Sequence, residues 1–172
     1  MRHLPYPPDT IAETVVAEPL ALILHWSGPR LSGIDLHWAD DREQTAVLTP
    51  KGREMAAALA AYVAGDPVRW PELDLDFGSL PPFLGRCLRV LHETVPQGRL
   101  CSYGELAARA GSPKGARAVG QAMSRNPWPL VVPCHRVVGS GPRPALTGFS
   151  GSGGLPLKAW LLEHEGARPS GD

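Results

Sequence analysis

Cysteine is scarce in this chain of 172 residues, with three in all and none before Cys87. An odd number of widely spaced cysteines excludes a disulfide framework and points to a reducing compartment. Long apolar runs are missing too. The longest, Met55 to Ala64, is about half of what a membrane-spanning helix needs, so no bilayer crossing is expected. The first residues carry Asp9, Glu13 and Glu18 and lack a basic start followed by an apolar core. They do not read as a secretory signal, and a cytoplasmic protein is expected. No phosphate-cradling glycine motif or nucleotide fingerprint occurs, and no cofactor is expected. His3, His25 and His37 show no ligand spacing and have no cysteine near them, so no structural zinc is expected in the first half.

What is present is globular in proportion, 43% hydrophobic and 20% charged. The net charge of zero conceals an uneven distribution. Residues 1–85 hold six Lys/Arg against twelve Asp/Glu, and residues 86–172 hold eleven against five. Between Arg86 and Arg136 there are eight basic residues and two acidic ones, a local field suited to a polyanion. Charge alone is equally compatible with a solvated face.

Pro19 to Trp26 and Leu31 to Trp38, separated by Ser27-Gly28-Pro29, predict a hairpin, with Gln44 to Leu48 as a candidate third strand. Thr49-Pro50 offers an N-cap and first-turn proline for a helix reaching Ala64 and stopping at Gly65. The prolines between Asp66 and Pro82 predict a linker, with a domain boundary near residue 80. Phe83, Leu84, Cys87, Leu88, Leu91 and Val95 form a helical stripe in which Cys87 is core. Ser102-Tyr103-Gly104-Glu105 has the form of a capping box opening a short helix that Gly111 closes. Ser112-Pro113 reads as the start of the next helix, and the two make a helix-turn-helix candidate.

Wound at helical pitch, residues 113–124 place Ala116, Val119, Gly120 and Met123 on one side and Lys114, Arg117, Gln121, Ser124 and Arg125 on the other, with Ala118 and Ala122 flanking. Cations among small neighbours can approach a phosphate backbone closely, although an ordinary amphipathic surface helix would look similar. Beyond Asn126-Pro127-Trp128-Pro129 comes Pro133-Cys134-His135-Arg136-Val137-Val138-Gly139. A thiol beside an imidazole suits nucleophilic chemistry, because the base can take the thiol proton. A Cys-His pair taken alone is a weak signal.

The whole string is specific. Pro-Cys-His-Arg-Val-Val-Gly after an Ala-Arg-Ala-Val-Gly helix and Asn-Pro resembles the O6-alkylguanine-DNA alkyltransferases. The likeness continues through Leu146-Thr147-Gly148-Phe149 and the Lys158 to Gly166 segment, so it covers about Val95 to Gly166. It implies a direct-reversal DNA repair enzyme, a single-turnover methyltransferase that moves the alkyl group of O6-alkylguanine in duplex DNA irreversibly to Cys134. His135 would be the base acting through water, and Glu165 the carboxylate orienting it; helical periodicity by itself leaves Glu163 and Glu165 equally placed. Arg117 would take the place of a flipped nucleotide, with the helix carrying it in the minor groove. Tyr103 would donate to guanine N3, and Asn126 would brace the turn ahead of the cysteine loop. The carbonyls of Cys134 and Val137 would meet the exocyclic amine, and Ser150 or Ser152 would supply a donor to O6. The loop from Gly139 to Leu146 and the Phe149 to Gly154 segment look longer than in relatives, which leaves the preferred alkyl group open.

The fold expected is an α/β N-terminal domain over 1–80, a small antiparallel sheet plus helix of RNase H-like type with a linker from about 65. A mainly α winged helix-turn-helix DNA-binding domain over 81–172 follows and carries the cysteine. The expected partner is double-stranded DNA bearing O6-alkylguanine, met by a monomer, with activity on O4-alkylthymine and cooperative assembly left open. Two other readings remain: a non-catalytic lesion sensor, which the retained Cys134 argues against, and a Cys-His hydrolase, which would turn over without DNA.

Overall fold

The computed structural model describes residues 6–141, 146, 149 and 151–167. They fall into two compact units, Met1–Asp76 and Phe77–Asp172.

The first unit is a three-stranded antiparallel sheet in the order β1 (Ile11–Ala17), β2 (Leu20–Ser27), β3 (Arg30–Trp38), followed by helix α1 (Pro50–Val63). Alternation along β2 and β3 buries Leu22, Leu24, Ile34 and Leu36. Helix α1 packs along β1 and buries Met55, Leu59 and Tyr62. Strand β1 escapes a reading by hydrophobic alternation because Glu13 occupies an inward position between Ile11 and Val15. That carboxylate has a structural use. It accepts from the Thr49 amide and, at 2.9 Å, from the Thr49 hydroxyl, while Thr49 Oγ1 accepts from Gly52 N and caps α1. Glu13 therefore ties β1 to the helix N-terminus, where a negative charge is favoured.

The strand expected over Gln44 to Leu48 does not form. Thr45 instead closes the outer edge of β1 by a mixed pairing, its amide donating to Thr14 O at 2.9 Å and its hydroxyl accepting from Thr14 N at 2.8 Å. A side chain substitutes for a ladder partner, which blunts the edge without adding a strand.

The second unit opens with a 3-10 turn (Phe77–Ser79) and helix α2 (Pro82–Thr94). It continues through β4 (Cys101–Ser102), α3 (Tyr103–Arg109), α4 (Ala116–Met123), a second 3-10 turn (Cys134–Arg136), β5 (Val137–Val138) and α5 (Gly154–His164). The capping box is complete: Ser102 Oγ accepts from Glu105 N at 3.1 Å, and Glu105 returns an acceptor to Ser102 N at 2.6 Å. Helix α4 starts later than the Ser112-Pro113 signal suggests. Pro113 and Lys114 form a turn closed by Gly115 N donating to Ser112 O at 2.7 Å, and Gly115 is the N-cap. Lys114 accordingly lies ahead of the helix. Parallel pairing of β4 with β5, Cys101 opposite Val137, sets the start of α3 beside the cysteine turn.

Candidate active site

Cys134 opens its 3-10 turn with its amide donating to Val132 O at 2.8 Å, and only 2% of the residue is exposed. The turn is short because Pro133 precedes it and β5 follows at once, so Cys134, His135 and Arg136 project from one tight bend. The side chains of His135 and Glu165 are both fully buried, and His135 Nε2 lies 2.8 Å from Glu165 Oε1. Glu165 is the C-cap of α5. Of the two carboxylates that periodicity leaves equivalent, Glu165 reaches the imidazole, whereas Glu163 is exposed.

Sequence reasoning gave Arg136 no role, yet it grips the same carboxylate with two nitrogens. Its Nε donates to Glu165 Oε2 at 2.8 Å and its Nη2 to Oε1 at 3.0 Å, while Nη1 reaches Val95 O at 2.8 Å. This is the paired fork that suits a buried arginine and carboxylate. Gly98 N adds a longer contact of 3.4 Å to Oε2. Gly98 has φ +79, and a Cβ there would stand 3.3 Å from Glu165 O, so glycine suits both the turn and the close approach.

These contacts fix the protonation states. Burial alone would raise the Glu165 carboxyl, but His135 and Arg136 outweigh it and hold the group well below the usual carboxylate range. An ionised Glu165 only accepts, so His135 Nε2 carries the hydrogen and Nδ1 keeps the lone pair. Burial pulls the His135 pKa down, Glu165 opposes that pull, and the cations Arg136 and Lys158 reinforce it. The imidazole is neutral at pH 7. His135 Nδ1 is buried and has no hydrogen-bond partner among the described protein atoms. It is a free basic nitrogen one residue from the thiol. By contrast, burial pushes the Cys87 and Cys101 thiols up, as befits packing residues.

A second cation is also absent from the sequence-based list. Lys158, on α5, is fully buried, and its Nζ donates to Val137 O at 2.7 Å. The signal was available in retrospect, because Lys158 adjoins Leu157 and sits three residues before Leu161 on the core stripe, where a lysine is out of place.

The remaining candidates sort by exposure. Arg117, Ala118, Gln121, Ser124 and Arg125 are exposed along α4 and its end, Lys114 is exposed before it, and Ala116 and Gly120 are half-covered. Val119, Ala122 and Met123 face inward. A Cβ on Gly120 would lie 3.9 Å from Tyr103 Cε1, so the Tyr103 ring at the start of α3 borders α4. Asn126 is buried; its Nδ2 donates to Val132 O at 2.8 Å and its Oδ1 accepts from Trp128 N at 3.0 Å, bracing the bend between α4 and the cysteine turn. Val137 is buried and Ser152 exposed. Ser150, like Pro142, Pro144, Thr147 and Gly148, lies outside the described residues. Among the described residues no group of three or more His, Cys, Asp or Glu side chains converges as metal ligands.

Residues 82–167 match the family described as 6-O-methylguanine DNA methyltransferase, DNA binding domain. Over 169 residues the chain is 37% identical to the constitutive methylated-DNA–protein-cysteine methyltransferase of Bacillus subtilis, covering 91% of this chain and 93% of that one. The chain belongs to this methyltransferase family. A Salmonella typhimurium methylated-DNA–protein-cysteine methyltransferase is 38% identical over 134 residues, 77% of this chain and 74% of its own. Among solved structures, the Mycobacterium tuberculosis O6-methylguanine methyltransferase superposes with TM-score 0.71 at 33% identity, covering 95% of this chain and 96% of that one. The same organism's OGT in complex with DNA gives 0.70 at 35% identity, covering 90% and 92%. The small antiparallel sheet with its helices is thus the methyltransferase fold, and Cys134 and the His135–Glu165 pair lie inside the matched segment.

Proposed function

We propose that this protein repairs alkylated DNA by direct reversal, transferring the alkyl group of O6-alkylguanine to Cys134 in a single turnover. The observation that carries the reading is the unpartnered, buried His135 Nδ1 beside Cys134, with the opposite ring nitrogen committed to an ionised Glu165. Such an imidazole is a base waiting for a proton, and one water between Nδ1 and the thiol completes the relay. The thiol proton passes through that water to Nδ1. Cys134 sulfur then attacks the alkyl carbon, the carbon–O6 bond breaks, and guanine leaves with the electron pair. Tyr103 donates toward guanine N3 as charge develops there. The product thioether has no hydrolytic exit, so each molecule acts once.

DNA is met through the exposed face of α4, with α3 and α4 acting as the helix-turn-helix of a winged domain over 81–172, and residues 1–80 forming an α/β, RNase H-like domain. Arg117 fills the stack vacated by the flipped base, while Lys114, Gln121, Ser124 and Arg125 hold phosphates or groove edges, and Ala116, Ala118 and Gly120 allow close approach in the minor groove. Val137 O and either Ser150 or Ser152 hold the guanine edge. The protein acts as a monomer in the cytoplasm and uses no cofactor. A lesion sensor would have no use for a base poised at a retained thiol, which disfavours that alternative. Incubation with a duplex containing O6-methylguanine, followed by intact and peptide mass measurement, tests the proposal. One methylene-equivalent should appear on the Cys134 peptide and be absent in Cys134→Ala; an unmodified Cys134 after prolonged contact refutes it.

A further inference from the structure

The segment that delivers Cys134 is strained, and it is held from two directions. Leu130 is buried in the left-handed region with a φ of +75°, a conformation that an L side chain keeps only where its surroundings enforce it. Val132 O accepts from Asn126 Nδ2 and from Cys134 N, both at 2.8 Å, and Val132 N donates to Trp128 O at 2.8 Å. Those bonds stay within residues 126–134. The preceding carbonyl is met from elsewhere: His92 Nδ1, in the last turn of α2 and 39 positions earlier, lies 3.1 Å from Val131 O. A carbonyl only accepts, so Nδ1 carries the hydrogen. The peptide joining Val131 to Val132 is therefore tied at both ends, its oxygen to α2 and its amide to Trp128. The imidazole is itself steered by rings. It lies 6.1 Å from Phe77, centroid to centroid, and Phe77 meets Trp128 edge-on at 5.2 Å while the Arg89 guanidinium stands 5.7 Å over Phe77.

We propose that His92 is a positioning residue for alkyl transfer, its Nδ1–H holding Val131 O so that the left-handed bend at Leu130 cannot relax and carry Cys134 out of line with His135. The inference rests on reading Cys134 as the nucleophile. Val131 stands three positions before the sulfur-bearing residue. A rotation of the Val131–Val132 peptide passes to Cys134 through Pro133, whose ring fixes φ and leaves little slack to absorb it. His92 takes up no proton in this role and acts through the backbone alone. Asn126 and His92 thus secure successive carbonyls, one from within the segment and one from α2.

Two substitutions separate the hydrogen bond from the ring. His92→Phe keeps an aromatic ring beside Phe77 and removes the donor, whereas His92→Asn loses the ring and keeps an N–H donor on the same branch of the side chain. Single-turnover transfer from duplex O6-methylguanine is measured over a range of DNA concentration, and amide hydrogen exchange at Val132 and Cys134 is measured in the full-length protein without DNA. In His92→Phe the rate at saturating DNA should fall about tenfold and both amides should exchange about tenfold faster, the effect of leaving one buried acceptor unpaired. The DNA concentration giving half the maximal rate should not move, because the exposed face of α4 is untouched. His92→Asn should stay close to wild type in every readout. A space-filling role predicts the reverse order, so loss in His92→Asn with His92→Phe unharmed overturns the proposal, as do equal losses in both or a wild-type rate in His92→Phe. If His92→Phe does not fold, as judged by circular dichroism, nitrogen NMR of the wild-type imidazole at about pH 8 decides: the hydrogen should sit on Nδ1, and a hydrogen on Nε2 refutes the tether. Absence of alkyl transfer by the wild type, with the exchange pattern across the variants intact, would remove the repair reading alone.

Discussion

At the scale of single residues, the proposed chemistry depends on one carboxylate gripped by His135 and Arg136. Replacing Glu165 by Gln removes the anion that fixes the His135 tautomer and leaves the Arg136 guanidinium buried without its counter-charge. Breaking a buried pair from one side costs about 3–5 kcal/mol, so Glu165→Gln should lose alkyl transfer by at least two orders of magnitude and unfold at lower urea. Acid should act in the same direction. His135 has a folded pKa depressed below its unfolded value of about 6.5, so the unfolded chain binds more protons below that pH. Glu165 is likewise depressed, and the stability it supplies is present above about pH 4.3 and drains as pH falls toward its folded value. Urea midpoints should therefore decline progressively below about pH 6.5, and the transfer rate should fall as His135 takes up a proton. A flat urea profile down to pH 4 would contradict the assigned states. Cys134, His135 and Glu165 were legible through the motif that contains them. Arg136 and Lys158 were not, because a pattern of residues records neighbours in sequence, and these two side chains are committed across the fold, Arg136 to Glu165 and Val95 O and Lys158 to Val137 O.

At the scale of elements, the sequence was most readable where a helix announces its own ends. Thr49-Pro50 and Ser102-x-x-Glu105 place the starts of α1 and α3 at the observed residues, because a capping hydroxyl works on amides two or three positions away. It was least readable where a polar residue serves the tertiary structure. Glu13 hides β1, and Thr45 satisfies an edge that propensity would assign to a strand. Ser102→Ala should cost about 1 kcal/mol of unit stability and loosen Tyr103 at the first turn of α3. Transfer to duplex substrate should slow more than iodoacetamide modification, and equal slowing would argue against the role given to Tyr103. Gly85→Ala should be harsher, since its Cβ would stand 2.4 Å from Phe77 O, a backbone atom that cannot swing aside. A loss of about 2 kcal/mol or more is expected in thermal denaturation.

For the whole molecule, the two compact units carry opposite charge, with all twelve acidic residues of the first half falling before Phe77. Affinity for undamaged duplex should fall steeply with salt, because the exposed cations on and around α4 release counterions when they bind phosphate. Arg117→Ala should impair transfer from duplex far more than from free O6-benzylguanine, and equal losses would remove its place in base flipping. The separation of thirty positions between His135 and Glu165 carries a temporal meaning as well. A ribosome releases the nucleophile's segment well before the helix that bears its orienting anion and its buried lysine. The nascent polypeptide should therefore hold a thiol without its assisting base in place until α5 docks, and reactivity should rise only once that helix has emerged.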